Sequence, residues 1–279
     1  CARAPQGGQR MSYFERALIV IMLVGALAGL AGVLVVLRKR VLFAQALTHA
    51  TFPGAVIATI LGVSLQIGAL IACVSLAIIL SFLSRIRGQG TQAASGVMLT
   101  AGFAAGVLLQ AMNPSIPIQI DSFLFGSILS ATWVDGLVAG IALVAVIASL
   151  LIWGKQILFF LFDAEAFGAT GAKSWMVDAV LLLITTVAVV AALPAAGAIL
   201  AIALIAAPAA AARYFTDKIN VMFWLAPTLG ALAGVAGLLI SRWLGVSAGA
   251  SISLVAATIF FVAWGTFTMR RPAQIGASA

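Results

Sequence analysis

This chain of 279 residues is predicted to be an all-α polytopic membrane protein. Eight or nine transmembrane helices are expected, at least one of them broken or re-entrant. Three observations carry that expectation. The chain is 64% hydrophobic and only 8% charged, where a soluble domain carries roughly 25% charged residues. Its mean hydropathy is +1.22. Its apolar residues fall in unbroken runs long enough to cross a bilayer core of roughly 30 Å, and they lack the alternation of barrel strands.

Nine such runs follow in order, at 14–37, 44–61, 65–83, 94–112, 133–153, 176–193, 195–212, 221–240 and 251–269. The first is long enough to span, so it reads as a membrane segment and not as a cleaved signal peptide. The second contains Pro53-Gly54, and the seventh is rich in small residues and contains Pro208. Either could be the broken element, and Pro194 and Pro208 are expected to kink their runs. One membrane domain over residues 14–270 is expected, between a polar tail at 1–13 and a short tail at 271–279. No appended soluble domain is expected within these residues.

The basic residues orient the runs. With the N-terminus outside and nine crossings, eleven of the fifteen Lys and Arg fall on the inside and four on the outside. The positive-inside rule therefore predicts a cytoplasmic C-terminus. The formal charge of +8 reads as anchoring at that face, where lipid headgroups are anionic. A nucleic-acid partner is excluded, because no soluble basic face exists to bind one. Cys1 and Cys73 do not form a disulfide framework, since Cys73 lies inside a membrane run. GxxxG pairs at Gly25/Gly29, Gly102/Gly106, Gly136/Gly140, Gly230/Gly234 and Gly245/Gly249 fit close helix packing, within or between copies.

The inner loop at 154–175 carries its own signals. Asp163 can cap a short helix, Glu165 sits near its positive end, and Gly168 or Gly171 can stop it. Phe159, Phe160, Phe162 and Phe167 make it apolar for a loop. It reads either as a helix lying in the headgroups or as a docking helix for a cytoplasmic partner. Gly171-Ala172-Lys173-Ser174 brushes against the phosphate-loop pattern, but Ala172 stands where that loop needs glycine. ATP binding in this chain is rejected, and with it an enzymatic role.

The seven acidic residues all lie at run ends or in loops. A proton-driven carrier with a mid-membrane carboxylate relay is therefore disfavoured, as is an intramembrane hydrolase. The one histidine is His49. Gln45 stands one helical turn before it, Thr48 beside it, and Pro53-Gly54 one turn later. The proline pair is expected to break the helix and free carbonyl oxygens nearby, as on a transport path. Two readings of His49 stand: a ligand on such a path, or a structural group hydrogen-bonding across helices.

At this point the chain resembles the membrane permeases of bacterial ATP-binding-cassette importers for manganese, zinc or iron. Four stretches carry the resemblance, which covers about residues 18–267. They are Gly32 to Arg38 followed by Ala46 to Ala50 and Pro53-Gly54; Ser122 to Ile128; 163–171; and Ala206 to Ala210 with Gly249 to Ile252. The resemblance implies the permease fold of such importers in the bacterial cytoplasmic membrane. It implies a second permease copy, forming a homodimer or a pair, two cytoplasmic ATPases that alone bind ATP, and an extracytoplasmic metal-binding receptor. No permanently bound cofactor is implied, only the transported ion, zinc or manganese and possibly ferrous iron.

The resemblance also assigns residues. It makes about 159–171 the cytoplasmic coupling segment, with Asp163, Ala164, Glu165, Phe167, Gly168 and Gly171 in it. It matches His49 to the family's intramembrane metal ligand, whose partner Asp is Gln45 here. The competing expectations are an ion-gradient carrier, which needs a charged residue at the midplane, and a scaffold subunit, in which His49 is dispensable.

Overall fold

The computed structural model describes residues 13–83, 91–114, 124, 126–171 and 174–270. Its helices are α1 Tyr13–Leu37, α2 Val41–Ile60, α3 Leu65–Leu83, α4 Thr91–Met112, α5 Trp133–Phe162, α6 Ala164–Ala169, α7 Ser174–Phe215, α8 Ile219–Leu244 and α9 Ala248–Arg270. A single 3-10 turn, Ile128–Ser130, precedes α5. Seven helices are long and apolar enough to cross a membrane, and α3 adds a shorter apolar stretch, Ile67–Leu80. The tails at 1–12 and 271–279, the segment 84–90, and Ser122, Phe123 and Phe125 lie outside the described residues.

The expected broken helix exists, but not at either proline. In a straight helix Ile205 would stand about 40 Å from Asp178. Yet Asp178 pairs with Arg38 at the end of α1, while the backbone of Ile205 lies against Gly32 of the same helix. The chain therefore runs up one limb of α7 and returns down the other. The reversal is at Gly197, whose φ of 71° and ψ of 170° are non-helical. This region of backbone space is essentially closed to residues with a Cβ. Pro194 and Pro208 both remain inside helical limbs, with Pro208 buried. Counting both limbs and α3, nine apolar segments result.

Pro53-Gly54, expected to break α2, does not: α2 is continuous from Val41 to Ile60. The reason is packing. A methyl on Gly54 would strike the Gly68 carbonyl of α3, and one on Gly68 would strike the Gly54 carbonyl. The two backbones press together, and that contact holds the helix through the proline.

α1 and both limbs of α7 form the buried centre, with α8 laid along α1. Gly25 abuts Gly230 and Gly29 abuts Ala226, backbone against backbone. Gly102 and Gly106 face Ala50 and Phe52 on α2, and Gly136 faces Val20. Gly245 does not pack against another helix; it is the left-handed residue that ends α8, at φ 68°. The other corners work in the same way. Gly62 is left-handed after α2. Lys39 is left-handed after α1, at φ 54°, with Arg40 N–H donating to the Val35 carbonyl at 3.0 Å. Tyr214, near the end of α7, stacks against Phe267 near the end of α9, with ring centroids 5.3 Å apart. The end of α9 thus lies at the same face as Arg38, and the start of α1 lies at the opposite face.

Gly197→Ala is expected to destabilise the protein by about 1–3 kcal/mol, because alanine is strained at that φ and ψ. Its melting temperature in detergent, compared with wild type, checks this. An unchanged value would mean that Gly197 is not the hinge.

Candidate functional site

α2 carries the candidate site. Its apolar side chains Phe43, Leu47, Phe52 and Val56 are buried against α3, α4 and α7, leaving a narrower face half exposed. Gln45 and His49, one turn apart, both lie on that partly exposed face. Thr48 does not join them. It is fully buried, and its hydroxyl donates to the Gln45 carbonyl of its own helix at 2.8 Å.

The His49 ring meets Phe103 of α4 edge-on, with centroids 5.5 Å apart and planes at 88°. Phe103 in turn stacks on Phe52 at 5.6 Å. The His49 Nδ1 is buried without a hydrogen-bond partner among the described residues. The cross-helix hydrogen bond of the structural reading is therefore not seen at Nδ1. Pro53 has no N–H, so the helical bond it would have given to the His49 carbonyl cannot form. The freed oxygen expected from the sequence is present, although the helix is not broken. An imidazole, a side-chain amide and a carbonyl oxygen thus gather within one turn of α2. Among the described residues, no group of three His, Cys, Asp or Glu could hold a metal.

The loop residues resolve as follows. Asp163 caps α6, accepting from the Ala166 N–H at 2.8 Å. Ala164 and Glu165 form the first turn of α6. Phe167 is buried between Phe159 and Phe160 of α5, at 5.5 and 5.6 Å. Gly168 lies within α6, and Gly171, at φ 75°, follows its end. The segment 159–171 is thus the last turn of α5 and the whole of α6. Lys173 lies outside the described residues.

One contact was not foreseen. Asp178, expected only as a charge near a helix start, accepts from both Arg38 and Arg40, the latter at 3.5 Å. Arg38 also lies over the Phe160 ring, 5.0 Å from its centroid. Burial, together with the neighbouring Arg38 charge, lowers the Arg40 pKa, and Asp178 opposes that shift. The sequence signal was three adjacent cations, Arg38-Lys39-Arg40, with no acid near them in the chain.

Among the described residues, eight long apolar helices, one of them, α7, folded back on itself into two limbs, define a multi-pass membrane protein with polar side chains on the half-exposed face of α2. A sequence model of the ABC 3 transport family matches residues 10–266, and the chain belongs to that family. It is 34% identical to the manganese transport system membrane protein MntC of Halalkalibacterium halodurans, over 91% of this chain and 87% of that protein. It is 30% identical to the manganese import system permease protein ScaB of Streptococcus gordonii, over 93% of each chain. Among solved structures, PsaBC from Streptococcus pneumoniae in complex with Fab superposes with a TM-score of 0.82 at 30% identity, covering 92% of each chain.

Proposed function

We propose that this chain is the membrane permease of an ATP-driven importer of a divalent transition metal, with manganese as the favoured cargo. The family match over nearly the whole chain carries the reading, together with the manganese-transport names of its relatives. The donor chemistry supports it. Gln45 and the His49 carbonyl offer neutral oxygens and His49 offers one nitrogen, a mixture that suits Mn(II) better than a thiolate-rich site would. Few donors and no carboxylate make a weak site, which is what rapid passage requires. ATP is hydrolysed on a separate cytoplasmic subunit docked at 163–171, and a receptor outside delivers the ion. The C-terminus lies on the cytoplasmic side with Arg38, Arg213 and Arg270. The three donors of one chain fall short of the roughly six that Mn(II) takes, so a second copy of the chain, facing the first, supplies a matching three.

The test is uptake into proteoliposomes holding this chain with its cognate ATPase and receptor, with manganese, zinc and ferrous iron supplied separately. ATP-dependent uptake of manganese above the other two is expected. Uptake of none of the three would sink the metal-importer reading and favour a scaffold. Uptake that ignores ATP but follows an ion gradient would favour a carrier.

Gln45→Asp is expected to tighten manganese binding in the transmembrane region roughly tenfold, because a carboxylate replaces a neutral amide oxygen. Slower turnover should accompany it. Calorimetric titration of the permease with Mn(II) measures the first, and an unchanged affinity would place Gln45 off the path.

A further inference from the structure

The unforeseen acid carries an inference beyond the transport site, and it rests on the permease reading above. α6, the short helix after Asp163, holds to the bundle through one large side chain, Phe167, which is 4% exposed and seated on Phe159 and Phe160. The Phe160 ring in turn lies beneath the Arg38 guanidinium, 5.0 Å from its centroid. Arg38 ends α1 and pairs with Asp178 of α7. The same carboxylate oxygen takes Arg40, the residue just before the first turn of α2. His49 lies nine residues further along that helix.

The corner between α1 and α2 places two arginines on this one acid. A left-handed Lys39 reverses the chain in three residues and brings Arg38 and Arg40 to the same side. Lysine at positive φ is itself disfavoured, where glycine would be free. A cation at the N-terminus of α2 faces the positive end of the helix dipole. Both arginine side chains are largely withdrawn from water, at 15% and 24% exposure. Their mutual repulsion is poorly screened there, and Asp178 is the counter-charge that both contact.

We propose that Asp178 is a positioning residue that pins α6 to the α1–α2 corner, so that a displacement of α6 is passed to the His49 helix as a single movement. Phe160 and Arg38 are the links between them. Without the carboxylate, the two arginines part, α2 loses its anchor at Arg40, and α6 moves without carrying α2.

The experiment compares wild type with Asp178→Asn in the permease–ATPase complex, using two readouts. The first is hydrogen exchange on adding the ATPase to the permease. In wild type, protection is expected at both 164–169 and 41–45; in the variant, at 164–169 alone. The second is manganese imported per ATP hydrolysed, expected to fall roughly fivefold or more while hydrolysis itself persists. Asp178→Glu, which keeps the carboxylate between Arg38 and Arg40, should retain most of that ratio, and an equal loss there would count against the pin. If Asp178→Asn fails to assemble, Phe160→Leu, which keeps an apolar seat for Phe167 but removes the ring under Arg38, decides the matter by the same two readouts. Protection of 41–45 and an unchanged ratio in the variant would overturn the pin. Failure of the ATPase to protect 164–169 in wild type would overturn the permease reading and the pin with it. Wild-type protection of both segments without metal uptake would uphold the pin and overturn only the choice of cargo.

Discussion

Replacing His49 by alanine is expected to cut ATP-dependent manganese uptake roughly 10- to 100-fold, at least the loss seen when groups supporting a metal ligand are removed. The folded protein should survive. The ring is only partly buried, and it meets Phe103 edge-on at 5.5 Å. Such a contact is worth about 0.5–1.5 kcal/mol beyond area burial. Its Nδ1 makes no hydrogen bond among the described residues, so no cross-helix bond is lost there on truncation. A structural histidine predicts the opposite pattern, with a clear drop in melting temperature and uptake that falls only in proportion to folded protein. Measuring uptake per mole of folded complex separates the two. Undiminished uptake in the alanine variant would remove His49 from the path and leave the backbone oxygens of α2 as the donors.

The second large effect is expected on stability, at the contact of α1 with α8. Gly230→Val should abolish folded protein. A Cβ at Gly230 would run into the Gly25 carbonyl oxygen and stand 3.0 Å from its carbon, and these are backbone atoms of a buried helix that cannot step aside. Overpacking costs about 1–3 kcal/mol even where side chains can adjust. Here α1 and α8 would have to separate, losing the close packing that holds membrane helices together. Gly265→Ala is the control. No atom lies within 4 Å of its added methyl, and α9 is helical there. That change should stabilise by about 0.5–1 kcal/mol through reduced backbone freedom. Size-exclusion profiles and melting curves in one detergent check the pair. A well-folded Gly230→Val protein would mean that the two helices are not in direct backbone contact.

The two glycines show how far a pattern reaches. Five GxxxG pairs looked alike as a sequence. Gly25 and Gly230 turn out to abut, with Gly29 against Ala226 and Gly234 against Ile21, while Gly245 ends a helix at φ 68°. Spacing cannot distinguish these roles, because a glycine that admits a neighbouring backbone and one that adopts a left-handed turn are the same residue. The helix break is a parallel case. Proline removes a hydrogen bond wherever it stands, so Pro53, Pro194 and Pro208 all drew attention. The chain reverses instead at Gly197, and Pro53 is carried through by the seating of Gly54 on Gly68.

Gln45 and His49 could be paired from their spacing, since one turn of helix fixes their common face. Thr48 could not be assigned, because its neighbours on α3, α4 and α7 decide which third of α2 is covered. Asp178 was invisible as a partner of Arg38, because 140 residues separate them and no local rule spans that interval. Composition and the length of apolar runs established the solvent and the helical class and narrowed the segments to eight or nine, because a bilayer core forces every backbone polar group to be satisfied within its own helix. Which face of each helix is covered, where the chain turns back, and which charges meet at the inner corner were decided by tertiary packing, because close approach and ion pairing depend on partners distant in the chain.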